Sequence, residues 1–202
     1  MIQRIDFKRG GYTFAEHRQR FAGWAAATAA RSSTKCRFTR EEGLQLIQQV
    51  GLLDYSEWKD LPSPQDFDTM HLALRNKLCT AASDVLRVGP QRFTHGVAAK
   101  LLNCYFKALY LSGPCLEIIN SENRNKANSL HPPIDRLLLT ELARRDIGGA
   151  ADFWRTRYMI GWSNFSSDEY QKTIDEIRRV TDGELWRIEQ YWLEPSCLER
   201  GA

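Results

Sequence analysis

The chain has 202 residues, 43% of them hydrophobic, and a formal net charge of +3. That is enough apolar material to bury a core as one domain or two small lobes, and too little charge to name a partner from the total alone. No apolar run approaches the roughly 18 residues of a membrane span, and the start MIQRIDFKRGGYTF lacks the apolar centre of a secretory leader.

Helical periodicity dominates from residue 14 onward. In FAEHRQRFAGWAAATAA, Phe14, Phe21, Trp24, Ala25 and Thr28 recur at helical spacing, which predicts that they form the buried face, Trp24 as core. Thr39 and Glu42 in FTREEGLQLI make a capping box that opens a second helix, closed by Gly51. Ser63-Pro64 starts the long run SPQDFDTMHLALRNKLCTAASDVL, which Gly89-Pro90 breaks. Thr94 caps the next helix, which carries Lys100 and continues through Leu111. GPCLEIINSENRNKANSLHPP reads as a mostly polar loop before a helix from Ile134 to Arg145. ADFWRTRYMI, SSDEYQKTIDEIRRV and GELWRIEQYWLE complete the pattern, leaving only the first dozen residues and short pieces for strand. The expected class is all-α, one helical domain over 1–202, with a helix–hairpin–helix segment over 80–112.

Five cysteines (36, 79, 104, 115, 197) form an odd set without a CxxC pair, which argues against a disulfide framework or zinc ribbon and fits a reducing cytoplasm. The four histidines (17, 71, 95, 131) show no metal-ligand spacing, so neither metal nor cofactor is expected. Charge is unevenly spread. Arg75, Lys77, Arg87, Arg92, Lys100 and Lys107 face Asp84 alone, whereas 168–200 holds nine acidic residues against five basic ones. A basic middle and an acidic tail imply one face attractive to polyanions and another that is solvated.

The basic middle centres on THGVAAKLLNCYF, residues 94–106. The break VGPQRF before it reads as the turn of a helix–hairpin–helix. Glycine there permits close backbone approach, and the N–H groups of the following helix start can hold a phosphate. Lys100, Cys104 and Lys107 fall on one face at i, i+4 and i+7, with Leu101, Leu102, Tyr105, Phe106 and Leu109 on the others. The positive end of the helix dipole disfavours a cation at Lys100 and so favours the neutral amine, the only form that attacks an electrophile. Downstream, HPPIDRLLLTEL puts Asp135 at a helix start behind a stiff diproline, as an ordinary cap or as a functional carboxylate.

GVAAKLLNCYF followed by PPIDRLL resembles the 8-oxoguanine DNA glycosylases of the helix–hairpin–helix superfamily, over roughly residues 80 to 145. Gly96, Val97 and Lys100 match the hairpin and helix start of that family. Cys104 matches its base-contacting cysteine, and Pro133-Ile134-Asp135 stands for its Pro-Val-Asp. Ala98 replaces the second hairpin glycine, Asn103 replaces an acidic residue, and the 35-residue spacing from Lys100 to Asp135 looks more like the archaeal branch. The resemblance implies a bifunctional glycosylase/AP lyase acting on an oxidised or modified purine such as 8-oxoguanine. Lys100 would be the amine nucleophile, Asp135 the catalytic carboxylate, and Cys104 a wall for the flipped base. It also implies double-stranded DNA as partner, a cytoplasmic, nucleoid-associated monomer, and a base pocket completed by Gln190 or Trp192 near the C-terminus.

Around this core, Arg92 in the hairpin is the best phosphate contact, with Gly96 and Val97 at the helix start. His95 either touches a phosphate or base edge or makes a local helix-end hydrogen bond. Lys107 is read as a backbone-contacting or solvated charge. Two rival functions use the same residues: a nucleic-acid-binding module in which Lys100 contacts phosphate and Asp135 only caps, and a helical interaction protein with a solvated basic face.

Overall fold

The computed structural model describes residues 12–31, 33, 35–89, 91–112 and 120–192. The protein is all-helical, with no strand among those residues. Among the described residues eight α-helices follow in order: α1 (Phe14–Ala30), α2 (Arg40–Gln49), α3 (Phe67–Val85), α4 (His95–Phe106), α5 (Ser121–Ser129), α6 (Arg136–Arg144), α7 (Ala151–Ile160) and α8 (Ser167–Val180). A π-turn over Lys107–Leu111 extends α4, and 3-10 turns at Trp162–Asn164 and Leu185–Tyr191 bear on the site described below.

The starts follow local chemistry. Thr13, Thr39 and Ser166 each accept from the N3 backbone N–H while a glutamate three residues on accepts from the cap N–H, closing three capping boxes. Thr94 accepts from the Val97 N–H and opens α4. The long helix begins at Phe67 rather than at Ser63-Pro64, because 63–66 form a turn in which the Ser63 hydroxyl donates to Asp66 Oδ2 at 2.7 Å. It ends at Val85, ahead of Gly89, and Arg87 turns the chain with φ of 53°. Pro90 and the first eleven residues lie outside the described residues. The segment read as a loop before the diproline contains α5, capped by Asn120 through the Asn123 N–H. Its lack of apolar periodicity hid it.

Packing reverses the reading of α1. Its buried face is Ala22, Gly23, Ala26, Ala27 and Ala30, while Phe14, Phe21 and Trp24 point outward, Trp24 being 47% exposed. Small residues win that face because the neighbours come close. A Cβ at Gly23 would meet Leu44 at 3.0 Å, and one at Gly43 would meet the Ala27 Cβ at 2.8 Å. The apolar core falls into two clusters. The first joins α1 through α4 around Leu46, Phe67, Leu78, Leu102 and Phe106. The second joins α6, α7, α8 and the last 3-10 turn around Leu142, Trp154, Phe165 and Ile174. Ala99 of α4 belongs to the second cluster and its neighbours Ala98 and Leu101 to the first, so α4 runs along the boundary.

The start of α4 is pinned by backbone. The Gly96 N–H donates to the Phe165 carbonyl at 3.1 Å, and the Thr94 hydroxyl donates to the Ser163 carbonyl at 2.8 Å. A Cβ on Gly96 would sit 1.8 Å from the Trp162 carbonyl oxygen. Gly96→Ala should therefore lose at least about 2 kcal/mol of unfolding free energy, since backbone rather than a mobile side chain must yield. Gly89→Ala, with nothing within 4 Å, should stay within about 0.5 kcal/mol of wild type. Urea unfolding of the two variants tests the contact, and equal stabilities would refute it.

Candidate active site

Lys100 and Asp135 meet. Lys100 Nζ donates to Asp135 Oδ2 at 3.2 Å, and the two side chains are 6% and 18% exposed. Asp135 is the N-cap of α6, one residue ahead of the first turn, and its other oxygen accepts from the Leu138 N–H at 3.0 Å. One carboxylate thus caps a helix and faces an amine on α4. The two groups form a direct ion pair.

Two indoles cover the lysine. The ring centroids of Trp162 and Trp192 lie 5.7 and 5.6 Å from Nζ, within range of a cation–π attraction. The Trp192 ring is also 5.1 Å from Lys107 Nζ, and its own N–H is buried without an acceptor among the described residues. Trp162, together with Arg136, Leu139, Tyr158 and Met159, also lines a cleft of about 560 Å³. The side chain that shields the lysine is therefore a wall of the neighbouring cleft. Periodicity did not single out Trp162, which lies in a short 3-10 turn.

The other expected residues divide. Cys104, one turn beyond Lys100, is half-buried, and burial pushes its thiol up against the downward pull of Lys100 and Lys107. Trp192, expected as one alternative for a base-pocket wall, lies against the lysine. Gln190 is exposed, and its side chain has no hydrogen bond among the described residues. Lys107, read as a backbone-contacting or solvated charge, pairs with Glu189, which ties the π-turn to the last 3-10 turn. Gly96 and Val97 are buried, and the N–H groups of Gly96, Val97 and Ala98 bond to the Phe165 carbonyl, the Thr94 hydroxyl and the Thr94 carbonyl. Those three donors are engaged internally, so the phosphate cradle expected at this helix start is not formed by them. His95 is half-buried, its Nδ1 has no partner among the described residues, and burial, then Arg75, lowers its pKa. Arg75, counted with the basic face, is 1% exposed and lies over the Tyr170 ring at 4.4 Å. Arg92 is exposed and unpaired among the described residues.

A buried polar chain under the site was not visible in the sequence. Asn103, one turn past Lys100, donates to the Pro132 carbonyl at 2.8 Å and to the Tyr170 hydroxyl at 3.0 Å, and its Oδ1 lies 2.8 Å from His71 Nε2. Tyr170 reaches His131 Nδ1 at 3.0 Å, and His131 Nε2 reaches Asp68 at 2.9 Å, where Arg178 also donates. Each of these bonds can form with both imidazoles neutral: Nε2–H of His71 donates to Asn103, Nε2–H of His131 donates to Asp68, and Tyr170 donates to His131. Burial, the largest influence on each, holds both histidines below their usual pKa. Burial works to raise the Asp68 carboxyl, and His131 and Arg178 overcome it, leaving it well below the usual range.

The sign of the pH dependence follows. As pH falls, the unfolded chain binds its histidine protons near pH 6.5 while the native chain resists them. Stability should be complete above about pH 6.5 and decline below it by up to about 1.4 kcal/mol per pH unit for each histidine that stays neutral. Asp68 adds to the loss only below about pH 4. Urea unfolding at pH 7.5, 6.0 and 5.0 measures this, and a flat profile would mean that the native imidazoles take up protons freely.

No protein-family model, no curated protein and no solved structure matches the chain, so its own geometry carries the functional reading.

Proposed function

We propose that the protein is a bifunctional DNA glycosylase/AP lyase of the helix–hairpin–helix type, acting on an oxidised or modified purine such as 8-oxoguanine. On this reading the α3–α4 connection is the hairpin and the partner is duplex DNA with one nucleotide flipped out. The observation that carries it is the convergence of Lys100 and Asp135, 35 residues apart, as a shielded amine–carboxylate pair between two indoles.

The chemistry uses both groups. A lysine attacks only as the free amine, so the Nζ proton must leave, and Asp135 Oδ2 is 3.2 Å away to receive it. The Nζ lone pair attacks C1′ of the flipped nucleotide, and the electrons of the glycosidic bond depart with the base, which takes a proton. Asp135, ionised again once it has passed the Nζ proton to the departing base, stabilises the positive charge that develops on the sugar. Transfer of the second Nζ proton to the ring oxygen opens the sugar and gives the protonated imine, from which β-elimination breaks the strand 3′ to the lesion. Reaching Nζ requires the indole cover to part, and Trp162 also borders the adjoining cleft.

The rival reading, a binding module in which Lys100 contacts phosphate, is separated by substitution. Lys100→Arg keeps the charge but removes the nucleophile. Asp135→Asn keeps a good N-cap while removing the carboxylate charge. With an 8-oxoguanine duplex and an abasic duplex, wild type should nick and form a borohydride-trapped adduct. Lys100→Arg and Lys100→Gln should lose both and still bind DNA. Asp135→Asn should lose most of its rate, about 100-fold or more, at near-wild-type affinity. Absence of nick and adduct from wild type on a wide panel of damaged duplexes would favour the binding module. An adduct that survives Lys100→Gln would keep the class and remove the nucleophile.

A further inference from the structure

Four cations converge on one cleft. The α1–α2 connection supplies Lys35 and Arg37, and the α3–α4 connection supplies Arg87 and Arg92. Together with Cys36, Val88 and Gly89 they line a cleft of about 590 Å³ that has no acidic residue in its wall among the described residues. None of the four forms an ion pair among the described residues, whereas Arg40, Lys59, Arg144, Arg145, Arg155 and Lys172 on the surface all have carboxylate partners. Like charges gathered without ion-pair partners repel one another, and solvent ions or a bound polyanion relieve that repulsion. Arg87 is in addition held at φ of 53°, a left-handed conformation that L-residues with long side chains rarely adopt.

We infer that this cleft is the site where the protein grips the phosphodiester backbone of a nucleic acid, in place of the engaged N–H groups at the start of α4. Three of the four cations are arginines, whose planar donor fork matches phosphate oxygens in pairs. An acidic protein partner would call for an apolar centre in the contact, and Val88 and Cys36, the latter only 3% exposed, provide little of one. Both contributing segments are helix connections, so the α1–α2 connection joins the hairpin in binding. The choice of nucleic acid rests on the DNA-acting reading above; the convergence of charge does not.

The test uses the double variant Arg37→Gln/Arg92→Gln, in which both substituted side chains are exposed, and Lys172→Gln as a charge-removing control on α8. Binding of an undamaged fluorescent 20-mer duplex is followed by anisotropy across a salt series, with circular dichroism to verify folding. The slope of log K against log salt should shrink by about 1.8 in the double variant, about 0.9 for each phosphate no longer neutralised, and stay unchanged in Lys172→Gln. An unchanged slope in the folded double variant overturns the proposal, as does a wild-type protein that binds polyglutamate as tightly as DNA. A shrunken slope without any borohydride adduct keeps the cleft and rejects the glycosylase. An adduct with an unchanged slope does the reverse.

Discussion

The side chain of Asn103 is the joint on which the arrangement depends. Its amide holds the Pro132 carbonyl at 2.8 Å, so the diproline that leads into Asp135 is fastened to the same helix that carries Lys100. The other bonds of Asn103, to Tyr170 and toward His71, fasten α4 to α8 and α3. At the other end of α4, Gly96 lies against the Trp162 carbonyl with no room for a Cβ. Lys100 stands between these two anchors. Its position relative to Asp135 is thus set by buried amide and backbone contacts, which tolerate little displacement because any broken partner is stranded away from water.

That rigidity separates two tasks. The lysine is covered by Trp162 and Trp192 and paired to a carboxylate that also caps α6, an arrangement suited to controlling where a proton goes. It is poorly suited to holding a polyanion, because the nearby N–H groups and Lys107 are already engaged. Polyanion binding is better served by the unpaired cations of the α1–α2 and α3–α4 connections. On the proposed reading, chemistry and grip fall to different residues of one helical frame.

The sequence spoke clearly where local rules decide. The capping box at Thr39, the cap at Thr94 and the apolar stripe of α4 placed those helices, and a lysine and an aspartate at two helix starts pointed to one site. It misled where tertiary contact decides. Aromatics on α1 looked like core, but close approach of α2 requires alanine and glycine there. α5 has no apolar stripe to announce it, and Arg75 reads as surface charge until Tyr170, 95 residues away in sequence, is seen beneath it. His71, Asn103, His131 and Tyr170 share no motif because their contacts span 29 to 67 residues of chain. Trp162 was missed for the same reason.

The central claim is that Nζ of Lys100, rather than any other amine, bonds to the sugar. Peptide mapping by tandem mass spectrometry of the borohydride-reduced adduct, formed with an 8-oxoguanine duplex and digested with nuclease and protease, reads the bonded atom's residue directly. The account predicts the deoxyribose remnant on Lys100 within the peptide that spans residues 94–106. A remnant on Lys107, or on any other lysine or the terminal amine, with Lys100 unmodified, would contradict it.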